Sequence, residues 1–307
     1  MLDAGEGSGQ LISLYRRCAI SLSARSRVAG ISFFIMLAIT ALSGRSLAHE
    51  VWIEPATPGL SPGEGLVADL RIGDMFKGDH LIYIPQQTER LLVLTQTGSF
   101  DLAPKIGSRP VVVVPPEQLD GVAGSVVAIY ESANSYAHYQ TAEKFFRFAE
   151  KKGMADVRQA HAGRQLPESG FVERYRRFAK ASVSIGDAAR SGAYQVNDRA
   201  VGMEVEFVLM AMTPLSDGAT AFDIQLLYQG RALPDALVTL FARAPDGAVT
   251  SSRFVTGGTG TIGVRAEAGY RYLLDHVTVR EADPSRDRNR PVWESLWASL
   301  TFAGPAS

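Results

Sequence analysis

Apolar and polar positions follow different rhythms in different parts of the chain. From Val51 to about Glu131, short runs with period two are broken by glycine and proline. Leu66–Ile72 alternates cleanly and Arg90–Leu94 more loosely, while Val111–Val114 and Ser125–Tyr130 read as fully buried strands. Pro58-Gly59, Pro62-Gly63, Gly73-Asp74, Gly98-Ser99 and Pro115-Pro116 punctuate them. Strands at this spacing, without helices between them, predict an antiparallel sandwich.

The period changes between about Tyr139 and Arg190. Ala142, Phe145, Phe146 and Ala149 recur at three- and four-residue intervals, with Lys144, Arg147, Glu150 and Lys151 opposite and Gly153 as a stop. Phe171, Tyr175, Phe178 and Ala179 repeat that spacing after Pro167-Glu168-Ser169. Two or three amphipathic helices are predicted here, their aromatic stripe facing a core. Glu173, Arg174, Arg176, Arg177 and Lys180 would form a solvated helix face. Alternation then returns in Met203–Leu209, Phe222–Tyr228, Leu237–Arg243, Thr261–Val264, Tyr270–Val279 and Leu296–Phe302, and Pro245-Asp246-Gly247 has hairpin chemistry. The pattern predicts a mainly β protein: an N-terminal β-sandwich over 49–138, a helical insertion over 139–192, and a second β-sandwich over 193–307.

Residues 1–48 read as a cleaved secretory signal. Arg16, Arg17, Arg25 and Arg27 precede the apolar run Val28–Leu42, and Ser46-Leu47-Ala48 supplies small residues at both recognition positions. The run is shorter than the roughly 20 residues that span a bilayer, which favours a cleaved leader over a retained anchor. No other apolar run approaches membrane length. Cleavage removes five arginines and two acids, leaving 26 basic and 30 acidic residues and a formal charge of −4. Such a surface is not built to neutralise phosphates, so a nucleic-acid partner is not expected. The single cysteine, Cys18, leaves with the signal. An exported chain with no thiol points to a bacterial periplasm and to cores large enough to do without disulfides.

Cleavage after Ala48 changes the chemistry of the next residue. His49 would then offer a free α-amine and the ring Nδ1, which close a chelate on a transition metal. The amine titrates near 8, so part of it is free at neutral pH. Imidazole and amine nitrogens suit Cu, Ni, Zn and Co, with affinity rising toward Cu(II). A second imidazole would complete a three-nitrogen set, and His276 is the choice for it. Glu50 or Glu54 could add an oxygen, and His138, between the first sandwich and the helices, could act as an accessory ligand. His80 is expected in an exposed turn and His161 in a solvated helical stretch. Glu204 and Glu206 share a strand face and are expected to be solvated. No His-x-His, His-x-x-x-His or Cys-x-x-Cys spacing supports a closed zinc site. No Gly-x-Ser-x-Gly elbow or cysteine nucleophile survives, and Gly257-Gly258-Thr259-Gly260 lacks the lysine of a phosphate loop. An enzyme is therefore not expected.

Five phrases carry a family resemblance: "AHEVWIEP" at Ala48, "RIGDMFKGD" at Arg71, "ERYRRFAKA" at Glu173, "LLYQGRALPDALV" at Leu226 and "WESLWASLTF" at Trp293. Together they resemble a periplasmic domain-of-unknown-function family described as similar to periplasmic components of nickel and cobalt uptake. Within that resemblance His49 matches a histidine at the mature terminus and His276 a histidine on the penultimate strand. The last third also resembles carboxypeptidase-regulatory, transthyretin-like sandwiches through Gly230–Val238, although Thr256 is followed by Gly257-Gly258 where such sandwiches often carry an aspartate. The resemblance implies metal handling. The expectation is a periplasmic protein that binds divalent nickel, cobalt or copper and works with an inner-membrane metal transporter or an outer-membrane receptor. Two other readings stand beside it: a non-metal module that binds a polymer, peptide or outer-membrane partner, and a copper oxygenase using the same terminal chelate.

Overall fold

The computed structural model describes residues 49–186 and 196–306. The predicted signal segment 1–48 lies outside them. The first part contains β1 (Glu50–Pro55), β2 (Gly59–Leu60), β3 (Leu66–Asp74), β4 (Lys77–Leu81), β5 (Thr88–Thr95), β6 (Gly98–Asp101), β7 (Val112–Val114), β8 (Gly124–Ser132) and β9 (Ser135–Tyr139). Helices α1 (Ala142–Lys151) and α2 (Val157–Gly163) follow, then the long strand β10 (Phe171–Ile185). The last part contains β11 (Val205–Pro214), β12 (Thr220–Tyr228), β13 (Arg231–Ala232), β14 (Leu237–Arg243), β15 (Val249–Val255), β16 (Thr261–Ala266), β17 (Arg271–Glu281) and β18 (Trp293–Ala303). The fold is mainly β, with sheets packed face to face.

One sheet organises the rest. Its ten strands include the path β15-β14-β17-β18-β10-β8-β5-β6, with β2 and β9 also pairing β10. Strict alternation sends side chains to its two faces. Phe178 of β10, Leu296, Ala298 and Leu300 of β18, Leu274 of β17, Ile129 of β8 and Leu92 of β5 point one way, where β11, β12 and β16 cover them with Phe207, Phe222 and Ile262. The opposite face carries Ala179 and Ala181 of β10, Val126 and Ala128 of β8 and Val93 of β5, packed under Val51, Ile53, Leu66 and Leu70 of the β1-β3-β4 sheet. Farther along that same face, Val277, Trp293 and Trp297 meet Phe145, Phe146 and Phe148 of α1.

This arrangement corrects two sequence expectations. The sandwiches expected at 49–138 and 193–307 are not separate: β5 and β8 from the first and β14, β17 and β18 from the last belong to one sheet. β10 joins them, parallel to β18 over Glu173–Ala181 and antiparallel to β8 over Ser182–Ile185. The predicted helical insertion over 139–192 contains α1 and α2, but Phe171–Ile185 is a strand. Phe171 and Tyr175 are four apart, a spacing that puts two residues on one face of either a helix or a strand. The charges decide between them, because they pair across strands instead of facing solvent. Arg174 reaches Glu294 at 2.7 Å, Arg176 meets Glu131, and Lys180 is fully buried between Asp198 and Glu206 at 2.9 and 3.1 Å. Glu206 is therefore a buried ion-pair partner and not a solvated one.

Candidate functional site

His49 leads directly into β1, and all six residues of that strand are buried. Its carbonyl accepts a hydrogen bond from Arg177 Nη1 at 2.5 Å. Arg177 is buried, its guanidinium 4.8 Å from the Trp297 ring and 5.2 Å from that of Tyr175. No carboxylate lies within ion-pair range of it among the described residues. The Val51 carbonyl, two residues on, accepts from Ser299 Oγ at 2.8 Å. As a whole residue His49 is half-buried.

Glu50 points into the protein. Its Oε1 accepts from Lys152 Nζ at 2.9 Å, and the same nitrogen donates to Asp275 Oδ2 at 2.6 Å while lying 4.9 Å over Trp297. Gly153, at φ 88°, ends the α1 turn and leaves Lys152 directed at β1 and β17. One ammonium cannot neutralise two buried carboxylates. Burial, and then the charge of Asp275, push the Glu50 carboxyl up to about 7 against the pull of Lys152. Its Oε2 has no hydrogen-bond partner. Burial lowers Lys152, yet the charges of Asp275 and Glu50 outweigh it and hold the amine above its usual range. Glu54 is also committed. Trp52 Nε1 donates to it at 3.0 Å, Arg243 and Arg71 reach it at 2.5 and 3.1 Å, and against its burial these partners keep its carboxyl below the usual range.

His276 does not join His49. It lies on the face of β17 shared with Leu274, turned toward β14, whereas Asp275 faces β1. The central sheet therefore separates the two histidines. His276 Nδ1 donates to the Leu237 carbonyl at 2.8 Å, which leaves Nε2 to accept the Thr278 hydroxyl at 2.9 Å. Burial lowers its pKa, so the ring is neutral and both nitrogens are occupied. His138 is exposed on β9, opposite Val172. His161, expected in solvent, is fully buried: Trp293 Nε1 donates to its Nδ1 at 3.0 Å and Nε2 lies 3.1 Å from the Pro167 carbonyl. His80 sits on β4 and pairs with Asp69 at 3.0 Å.

Among the described residues, no three His, Asp or Glu side chains converge as a metal-binding group. The donors expected around His49 are thus dispersed or already engaged. What remains there is His49 itself, with Asp74 at the neighbouring end of β3. Sequence reasoning missed Lys152, Asp275, Arg177 and Trp297. The hydrogen-bond partners of Lys152, Asp275 and Arg177 lie 102 to 128 residues away in the chain, and no local pattern announces such pairs.

A family model for a domain of unknown function, DUF4198, matches residues 46–279. The chain belongs to that family. The DUF4198 match begins three residues before His49 and ends within β17, so β18, which carries Trp297, lies beyond it. None of the curated proteins matches the chain. A crystal structure of a tetra-tandem repeat in the extending region of a large adhesion protein is similar at 9% identity and a TM-score of 0.21, over 83% of this chain and 49% of that one. The chain thus spans about half the length of that structure. No helix among the described residues is long and apolar enough to cross a membrane.

Proposed function

We propose that the processed protein is a periplasmic carrier for a divalent transition-metal ion, nickel, cobalt or copper, and that it binds the ion at a mature terminus formed by His49. It acts as a binding protein and not as an enzyme, exchanging its ion with an inner-membrane transporter or an outer-membrane receptor. The observation that carries this reading is the anchoring of residue 49. Arg177 holds its carbonyl, and the next residue enters a strand buried along its whole length. With Ala48 removed, the α-amine and Nδ1 of such a residue stand in a fixed place and need little ordering to grip an ion. The bound ion would supply only its charge and coordination preference. Glu50 and His276 take no part: the Glu50 carboxylate is turned into the protein toward Lys152, and the His276 ring nitrogens serve Leu237 and Thr278.

The test is calorimetric titration of the exported protein with Ni(II), Co(II) and Cu(II), after mass spectrometry has established its first residue. A matched protein carrying His49→Ala keeps the terminal amine but removes the imidazole that closes the chelate. Binding by the first and loss in the second is the expected result. Equal binding by both, or none by either, overturns the reading.

A further inference from the structure

Asp74 closes the β3 strand at the tip of its hairpin with β4. The chain reverses there through Met75 and Phe76, both with positive φ, 53° and 57°. The turn is firmly seated. Phe76 is fully buried, packs edge-on to Trp52 at 5.6 Å, and lies 3.9 Å beneath the Arg243 guanidinium. Gly73 and Gly78 pass so closely that a Cβ on Gly73 would stand 2.0 Å from the Lys77 carbonyl oxygen.

The register sets this tip beside the chain's first described residue. β1 and β3 pair Glu50 with Gly73, so one further antiparallel step puts His49 next to Asp74, with their side chains on the same side. Two further contacts gather the same elements. Lys151 lies 3.8 Å from Asp74 Oδ1, while its neighbour Lys152 holds Glu50. The charge of Asp74 is also felt at the Glu50 carboxyl.

Asp74 differs from the other acids around β1 in being uncommitted. Glu50 and Asp275 share Lys152, and Glu54 is enclosed by arginines. The Asp74 side chain is 51% exposed, and its Oδ1 accepts only from the Met75 amide, at 3.1 Å. The Lys151 contact joins two exposed groups at 3.8 Å and contributes little, so it yields readily to a stronger cation.

We infer that Asp74 is the third donor of the terminal site, adding a carboxylate oxygen to the α-amine and imidazole of His49. This deepens the function proposed above and rests on it. Two nitrogens and one hard oxygen suit the divalent ions Ni(II), Co(II) and Cu(II) and disfavour soft Cu(I). The carboxylate also supplies the negative charge that neither neutral nitrogen brings.

The experiment compares the exported, processed protein with Asp74→Asn, Lys151→Ala and His49→Ala. Ni(II) binding is followed by calorimetry and the Cu(II) environment by electron paramagnetic resonance, with thermal melting as a check on the fold. Asp74→Asn is expected to weaken Ni(II) binding by at least about 10- to 100-fold, the loss caused even by removing a group that only orients a ligand. It is also expected to alter the Cu(II) spectrum without moving the melting point. Lys151→Ala should bind at least as tightly as the parent, and His49→Ala should abolish chelation. If Asp74→Asn binds like the parent while His49→Ala still abolishes binding, the role of Asp74 is refuted and the terminal chelate stands. If His49→Ala changes nothing, both fall together.

Discussion

Arg177 donates to the carbonyl of His49 from a position 128 residues later in the chain, its guanidinium enclosed by Trp297 and Tyr175. A buried cation with no carboxylate in range is costly to keep. Here it is compensated by two aromatic faces and one backbone oxygen at the start of β1. Burial pulls Arg177 below its usual range, but an arginine stays charged at any working pH.

Replacing Arg177 by leucine should therefore destabilise the protein, because the hydrogen bond to residue 49 is lost and buried Glu173 loses the positive charge that offsets part of its burial. The loss of a charge-assisted hydrogen bond and two cation–π contacts amounts to about 2–3 kcal/mol. Urea unfolding measures it. A metal titration of the same variant should show weaker binding, since residue 49 loses its anchor.

Lys152→Met is expected to be more damaging. It strands Glu50 and Asp275 together in a buried site, and breaking a buried pair in this way costs about 3–5 kcal/mol. The triple variant Lys152→Met, Glu50→Gln, Asp275→Asn should recover most of that loss. Denaturant midpoints of the single and triple variants decide the matter: a triple variant no more stable than the single one would show that the lysine acts through packing on Trp297 alone.

Stability should depend on pH through Glu50. Its folded carboxyl stands at about 7 against the usual 4.5, raised by burial and Asp275. The folded state therefore binds this proton more tightly than the unfolded state does. Its contribution is complete below about 4.5 and is lost as pH rises through about 7, a change on the order of 3 kcal/mol. Glu50→Gln should flatten the stability profile across that window, as thermal melting at successive pH values would reveal.

His276→Asn should leave metal affinity unchanged, because the residue faces β14 across the sheet from His49. Its cost falls on the fold, about 1–3 kcal/mol for two disturbed buried hydrogen bonds. A titration in which this variant loses its metal would contradict the separation of the two histidines.

Much of the strand inventory was legible because alternation is a local property. β3, β8, β12, β14, β17 and β18 all appear where their apolar rhythm puts them, and α1 follows from Ala142, Phe145, Phe146 and Ala149. β10 was not legible: its aromatic spacing fits two periods, and only its ion-pair partners on other strands choose between them. The site was readable in the same uneven way. The Ala48–His49 junction marks itself through small residues next to a histidine, and the alternation of β17 placed His276 with Leu274 and Thr278. Which side of the central sheet that face looks toward, and whether a nitrogen is already spent on Leu237, depends on pairing between β14 and β17. No stretch of sequence states that pairing.

The position of β18 affects how the molecule can be made. It is the last strand described, yet it lies in the interior of the ten-stranded sheet, flanked by β17 on one side and by β10 on the other. Until those residues emerge from synthesis, neither side of that sheet has its partner, and Trp297 is missing from beneath Lys152 and Arg177. Assembly must wait for long-range pairings that form slowly. A polypeptide built this way can gather the core of Val51–Val183 early, but it closes its largest sheet only at the end of its translation.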